Sequence, residues 1–275
     1  MSLDVRIPIL AVLGRKNSGK TTVAERIVST LVKRGLKVAV AKHISKKGFS
    51  MDSEGKDTWR YSDVGATPVI AVSDRETTVK LMRGTDVFSL DWMLRVSAEN
   101  DADVLVIEGF SSIILKDKRV GKIICMRNSG EYYEYKEKVE GGILAYCSFK
   151  SLDKPILEIN RDLKKIVNEA TKFINKRWKI FSILSDLPRL DCRKCGRSSC
   201  LELAEAIYAG EAGVEECVPL KLKPTLKTKI IIEENEVPIQ PFVSEVIRRS
   251  VLGMISALKE VNISGEEEIR IEISK

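Results

Sequence analysis

Apolar and polar positions alternate between strand-like and helix-like patterns over the first two thirds of this 275-residue chain. Residues 7–13 (Ile-Pro-Ile-Leu-Ala-Val-Leu) form a short continuous apolar run of the kind that a parallel sheet buries on both faces. A glycine-bearing turn follows. Across residues 21–34, Val23, Ile27, Leu31 and Val32 then recur at helical spacing, and Gly35 stands where a helix-ending glycine belongs. Residues 38–41 form a second apolar run, so the first forty residues predict strand, loop, helix and strand, a βαβ unit. Further strands are predicted at 68–72, 103–107, 122–126, 143–147 and 155–159, and helices at 57–65, 88–100 and 161–176. This alternation predicts an α/β fold, a mostly parallel sheet covered on both faces by helices. It stops near Trp178, which sets a first domain at 1–178.

The remainder has a different texture. Four of the six cysteines crowd into residues 192–217 and mark a small module at 186–220, and residues 219–224 read as a Lys- and Pro-bearing linker. A tail at 226–275 reads as ββαβ. Runs at 229–233 and 237–240 make a hairpin around Glu234-Asn235-Glu236. Residues 244–259 form an amphipathic helix carrying Val246, Ile247, Val251, Leu252 and Ile255, and the alternation of Ile269, Ile271 and Ile273 predicts a strand.

A hydrophobic fraction of 44% excludes a disordered chain. No apolar run approaches the roughly 18 residues of a membrane span, and residues 1–6 lack the apolar centre of a signal peptide, so a cytoplasmic protein is expected. The formal charge of +7 is spread among interleaved acids; it permits an anionic ligand and makes no case for nucleic acid. Six cysteines in such a chain point to thiol or metal chemistry rather than disulfides.

Gly14-Arg15-Lys16-Asn17-Ser18-Gly19-Lys20-Thr21-Thr22 fits the phosphate-loop pattern G-x-x-x-x-G-K-[ST]. Glycines let successive backbone N–H groups face one anion, and the helix that follows adds the positive end of its dipole. In that frame Lys20 reaches the β and γ phosphates of a nucleoside triphosphate and the Thr21 hydroxyl ligates Mg²⁺. The strand predicted at 103–107 is followed by Glu108, a carboxylate at the C-terminal end of a buried strand, suited to the Mg²⁺ shell or to orienting a water. The base is poorly marked. Asn-Lys-x-Asp is absent, and Asn160-Arg161-Asp162 offers Asn160 and Asp162 as candidate base readers or as an ordinary helix cap. GTP and ATP both stay open.

Several stretches occur in the order of one family: the 14–22 loop, Lys42-His43, Asp52 with Gly55-Lys56-Asp57-Thr58, Gly65-Ala66, and Glu108-Gly109-Phe110. Over roughly residues 5–175 the chain resembles the molybdopterin-guanine dinucleotide biosynthesis protein B family. The resemblance implies a dimerising, GTP-binding, weakly hydrolytic protein. Such a protein assists attachment of a guanine nucleotide to the molybdenum or tungsten pterin cofactor, alongside a nucleotidyltransferase. It also implies that Asp52 and Asp57 approach the Mg²⁺ and triphosphate, with Lys42 and His43 near the site. His43 is the chain's one histidine; members that carry further histidines after this pair differ here, where Ile44-Ser45-Lys46-Lys47 follows. Arg15 occupies the loop position from which some relatives of the superclass reach a partner's nucleotide, which makes it a candidate catalytic residue with Lys20 and Glu108.

Cys192, Cys195, Cys200 and Cys217 follow the spacing C-x2-C-x4-C-x16-C. Zinc also takes four thiolates but usually from two matched pairs; a tight trio plus one distant ligand is closer to an iron–sulfur arrangement. Residues 190–220 resemble the small [4Fe–4S] domain of corrinoid iron–sulfur proteins, and Leu201, Ala204 and Ile207 are expected to keep water from its sulfurs. Cys125 and Cys147 read as buried, inert thiols. The alternative to cofactor maturation is a redox ATPase that gates electron delivery to a redox partner.

Overall fold

The computed structural model describes residues 6–82, 89–222, 228–232, 234–256, 258 and 270–271. Contacts divide the chain into two units that meet between Arg177 and Trp178. The first unit runs β1 (Ile9–Gly14), α1 (Lys20–Lys33), β2 (Val38–Lys42), α2 (Asp57–Asp63), β3 (Val69–Val72), β4 (Thr77–Lys80), α3 (Leu90–Glu99) and β5 (Val104–Glu108). It continues through α4 (Ser111–Ile114), β6 (Val120–Met126), α5 (Ser129–Lys138), β7 (Ile143–Ser148), β8 (Ile156–Glu158) and the long helix α6 (Ile159–Asp186).

Six strands form one sheet in the order β2-β5-β1-β6-β7-β8, every neighbouring pair parallel. The central strand β1 is continuous in apolar character because both of its faces are covered: Leu10, Ala11, Val12 and Leu13 have no exposed surface, and Val104–Ile107 of β5 are equally sealed. Each such large aliphatic side chain contributes about 1.5–3 kcal/mol by leaving water. Helix α1 buries Val23, Ala24, Ile27 and Leu31 and leaves Val32 half-exposed, so the apolar stripe is narrower than its spacing suggests. Gly35, at φ +85°, ends the helix in the left-handed region that a β-carbon disfavours. Strand order reverses around β1, whose neighbours are β5 and β6; crevices at the carboxyl ends of such strands are where open α/β sheets take ligands.

Lys122, on β6, is fully buried, and its ammonium donates to the carbonyls of Asp117 (2.6 Å), Glu140 (2.8 Å) and Val120 (3.1 Å). All three ammonium donors thus have acceptors, which is the condition for holding a charge inside a core.

Several elements depart from expectation. β3 does not join the parallel sheet; it pairs antiparallel with β4 in a two-stranded ribbon. β4, α4 and α5 were not foreseen. α5 has no apolar stripe, burying only Glu131 and Tyr135, so no helical period marks it. α6 runs ten residues beyond the predicted end at 176, to Asp186.

The second unit begins within α6 and continues with α7 (Cys200–Ala209), a 3-10 turn at Val214–Glu216, α8 (Val218–Leu222), β9 (Ile230–Ile232), β10 (Asn235–Val237) and α9 (Pro241–Ser256). Its core packs Ile180 and Leu184 of α6, and Leu187 just after it, against Leu203 and Ala204 of α7, with Cys200 and Cys217 among them. Part of the expected linker is helical, since α8 covers its start. The hairpin is tighter than predicted: Asn235 pairs with Ile232, so Asn235 and Glu236 lie in a strand and Glu234 takes the turn at φ +67°. The tail helix starts at Pro241, three residues early. Of the predicted final strand, Ile269 and Ile273 lie outside the described residues. Among the described residues, no helix is long and apolar enough to cross a membrane.

Candidate nucleotide site and four-cysteine module

The 14–22 loop leaves β1 and enters α1 at the crevice where strand order reverses. Gly14 has φ +143°, and a β-carbon there would collide with the Cys125 carbonyl of β6. Gly19, at φ +97°, backs onto a wall; a β-carbon would stand 2.6 Å from Ile159 Cδ1 and 2.9 Å from Phe149 Cε2. Asn17 also adopts the left-handed region, at φ +62°. The N-terminus of α1 has no side-chain cap and no acidic residue in its first turn, so its orphan N–H groups remain for an anion. Ser18 Oγ is buried and, among the described residues, has no hydrogen-bond partner, a donor that a phosphate oxygen would satisfy. These features fit a bound phosphate.

Thr21 Oγ1 donates to Glu108 Oε1 at 2.8 Å, and Glu108 is nine-tenths buried at the end of β5. Lys42, at the end of β2, donates to Glu108 Oε2 at 2.9 Å and approaches Thr21 Oγ1 at 3.5 Å. The register pairs Lys42 with Glu108 across β2 and β5, so the two strands themselves bring the charges together. Lys20 curls back to donate to the Arg15 carbonyl at 2.7 Å, and partial burial pushes its pKa down. After Glu108 the chain turns through Gly109 (φ +89°) and Phe110 (φ +57°). A β-carbon on Gly109 would stand 3.0 Å from His43 Cβ, and the His43 and Phe110 rings lie 5.2 Å apart. His43 N–H donates to the Glu108 carbonyl at 2.9 Å, so its backbone helps fix that turn.

Other expected site residues are engaged elsewhere. Asp52 accepts from Lys80 (2.9 Å) and Thr58 (3.0 Å), and the Lys80 bond is the main cause of its lowered pKa. It ties the segment before α2 to β4. Asp57 is exposed at the start of α2, with Arg60 at 3.7 Å as its ion-pair partner. Arg15 is held within its own chain: its guanidinium donates to Glu134 of α5 at 2.6 Å and lies 3.8 Å from Glu131. Reaching a partner's nucleotide requires leaving Glu134. Asn160 lies in the first turn of α6, and Asp162 accepts from the Glu158 N–H (3.0 Å) and from Arg161, closing that helix end. Lys16, Asn17 and Thr22 are exposed.

The α5 acids that tether Arg15 went unread in the sequence. Asn128 followed three residues later by Glu131 is a helix-start signature that could have found them, and Asn128 Oδ1 does accept the Glu131 N–H at 3.2 Å. One strand beneath the loop, the Cys125 and Cys147 thiols lie 3.5 Å apart and fully buried, and their mutual hydrogen bond and burial hold Cys125 well above the usual thiol range.

In the second unit Cys192, Cys195, Cys200 and Cys217 line one cavity with Pro188, Leu190 and Leu203. Among the described residues, no three His, Cys, Asp or Glu side chains gather as the ligand set of a metal ion. Four cysteines lining one cavity are a donor set that suits a multi-atom iron–sulfur group rather than a single ion. Of the residues expected to shield it, Ala204 is buried in the core, while Leu203, rather than Leu201 or Ile207, lines the cavity. Cys200 opens α7, where Ser199 Oγ accepts the Glu202 N–H at 3.1 Å and Glu202 accepts from Ser198. Asp191 accepts the Cys200 N–H at 2.6 Å. Burial raises the thiol pKa of Cys200 and of Cys217.

Residues 9–148 match the family model described as "Molybdopterin guanine dinucleotide synthesis protein B", and residues 187–219 match one described as "Putative Fe-S cluster". A protein of Methanocaldococcus jannaschii, described as a "Putative molybdopterin-guanine dinucleotide biosynthesis adapter protein", is 28% identical over 97% of this chain and 98% of its own length. The corresponding adapter protein of Haemophilus influenzae is 31% identical over 58% of this chain and 85% of its own. The crystal structure of Bacillus subtilis MobB superposes with a TM-score of 0.50 at 24% identity, covering 61% of this chain and 98% of that one, and so shares the fold. With its phosphate loop, its Glu-Gly-Phe turn and a model match over half its length, the chain belongs to the molybdopterin guanine dinucleotide synthesis protein B family.

Proposed function

We propose that this protein is an adapter in the biosynthesis of a molybdenum or tungsten pterin guanine dinucleotide cofactor. In this reading it binds GTP with Mg²⁺ in its first unit, hydrolyses it weakly, and carries a [4Fe–4S] cluster in its second. The observation that carries the nucleotide reading is the Thr21–Glu108 hydrogen bond, 2.8 Å long, at the mouth of an uncapped helix N-terminus. Those two oxygens are the ones to hold Mg²⁺, which when bound neutralises charge on the triphosphate. Gly14–Gly19 cradle the phosphates with backbone N–H groups, and Lys20 exchanges the Arg15 carbonyl for a phosphate oxygen. Asp52 and Asp57 are proposed to act at a distance, by shaping the segment that leads into α2. Asn160 stays a candidate for the base, while Asp162 supports its turn.

Cys192, Cys195, Cys200 and Cys217 would hold the cluster, which supplies either electrons or a fixed point for a small domain with a modest core. The adapter description of the archaeal relative spans nearly the whole chain, both units included, and this favours cofactor maturation over a redox ATPase. A homodimer is in keeping with the β3–β4 ribbon, where Ile70, Val72 and Val79 are all more than half exposed. The working partners are then a second copy of this chain and the nucleotidyltransferase that makes the dinucleotide.

Anaerobic purification with iron, sulfide and zinc counts, followed by calorimetry with GTP, ATP and a pterin guanine dinucleotide, tests the reading. About four irons and four sulfides per chain with a preference for GTP support it. Zinc in place of iron, or a preference for ATP with nucleotide-dependent electron transfer, overturns it.

A further inference from the structure

Lys42 carries a consequence for how the divalent ion enters. Its ammonium is 2.9 Å from Glu108 Oε2 and 3.5 Å from Thr21 Oγ1, while Thr21 uses its own proton on Glu108 Oε1. The same two side chains are the proposed Mg²⁺ ligands. Glu108 is nearly sealed from solvent, whereas Lys42 is half-exposed and sits on the edge strand of the sheet, free to swing outward. An ammonium and a divalent ion sharing the two Glu108 oxygens repel each other, and the burial of the carboxylate leaves that repulsion less screened than it would be in water.

We propose that Lys42 is a built-in counter-cation that holds the magnesium position in the nucleotide-free protein and makes metal entry conditional on the triphosphate. This rests on the Mg²⁺ nucleotide reading and deepens it. Without nucleotide, a divalent ion must displace the ammonium and gains only Thr21 and Glu108 in return. With a triphosphate present, the ligand offers oxygens to the metal and negative charge to the departing ammonium, so nucleotide and metal bind as a coupled pair. Lys42 is therefore a positioning residue, and its effect is a linkage between two ligands.

The test uses the intact protein with Mn²⁺ as a spin-active probe and no nucleotide. Mn²⁺ prefers oxygen donors, which keeps it away from the cysteine module. Removing the competing ammonium in Lys42→Met should tighten Mn²⁺ binding at least about tenfold relative to wild type. Lys42→Arg, which keeps the charge, should bind as weakly as wild type, and Lys42→Met with Glu108→Gln should lose the gain. Lys42→Gln provides a second neutral variant should the methionine fail to fold, as judged by thermal unfolding. Equal Mn²⁺ affinity in wild type and the neutral variants, or an arginine variant that tightens as much as methionine, overturns the proposal. Calorimetry of wild type with Mg²⁺ and GTP reports separately on the nucleotide reading; tightened Mn²⁺ binding in Lys42→Met with no GTP binding by wild type would sink that reading and leave the counter-cation standing.

Discussion

Replacing Gly19 with alanine isolates what the phosphate loop demands of its backbone. Two independent penalties converge there. The residue holds φ +97°, outside the range an L side chain adopts without strain, and this costs about 1–3 kcal/mol. The new β-carbon would also stand 2.6 Å from Ile159 Cδ1, at the start of α6, and 2.9 Å from the Phe149 ring. Overpacking of this kind costs about 1–3 kcal/mol, moderated by whatever the isoleucine terminus can yield. Together they predict that Gly19→Ala lowers stability by about 2–6 kcal/mol, read from urea unfolding followed by far-ultraviolet circular dichroism. Ile159→Val removes the nearest atom and by itself costs about 0.5–1.5 kcal/mol. In that background Gly19→Ala should cost roughly 1 kcal/mol less than in wild type, and the remainder is backbone strain together with the Phe149 contact. A loss below about 0.5 kcal/mol in the single variant would refute the reasoning, because neither strain nor clash would then be present.

Lys122→Met should destabilise the first unit by about 2–4 kcal/mol in the same unfolding assay, since three carbonyls lose their donor in a sealed site; a neutral result would mean that water reaches them. Lys20→Ala should abolish tight nucleotide binding by calorimetry while the visible absorbance of the anaerobic protein persists, because the loop and the cysteines lie in different units. Cys200 and Cys217 have thiol pKa values raised by burial, so in the metal-free protein both states keep their protons at neutral pH. Above the ordinary thiol value of about 8.5 the unfolded chain ionises first, and folding stability falls as pH rises toward the folded values. Metal-free, fully reduced protein should therefore unfold at lower temperature at pH 9.5 than at pH 7, and a Cys200→Ser, Cys217→Ser variant should show a flatter profile. Cluster loading should show the opposite trend, since thiolate ligation releases protons.

Much of the first unit was legible because its physics is local and strong. Continuous apolar runs such as Leu10–Leu13 and Val104–Ile107 admit few readings besides buried strands, and the loop spacing places Gly14, Lys20 and Thr21 on the joint between strand and helix. Glu108 could be located from the same logic, since an acid after four apolar residues must emerge where a strand ends. What escaped lacks such a pattern. α5 presents tyrosines and charges with no apolar face, and β4 is a short run, Thr-Thr-Val-Lys, whose stability comes from pairing with β3. Side-chain allegiance was the least readable level. Asp52 and Arg15 each had a plausible ligand in the sequence, yet each meets a nearer partner, Lys80 and Glu134, contributed by an element without a periodic signature. Lys42 was placed near the site by resemblance, but its pairing with Glu108 depends on two strands distant in sequence being neighbours in the sheet.

The start of α7 bears on how the cysteine module is held in place. Ser199, Glu202 and Asp191 accept from three amides around Cys200, including that of the cysteine itself, so oxygen acceptors help to shape this turn. A single carboxylate, Asp191, thus sets where the third cysteine of the module stands, nine residues ahead of it in the chain, and losing that oxygen would displace Cys200 before any of the other three cysteines.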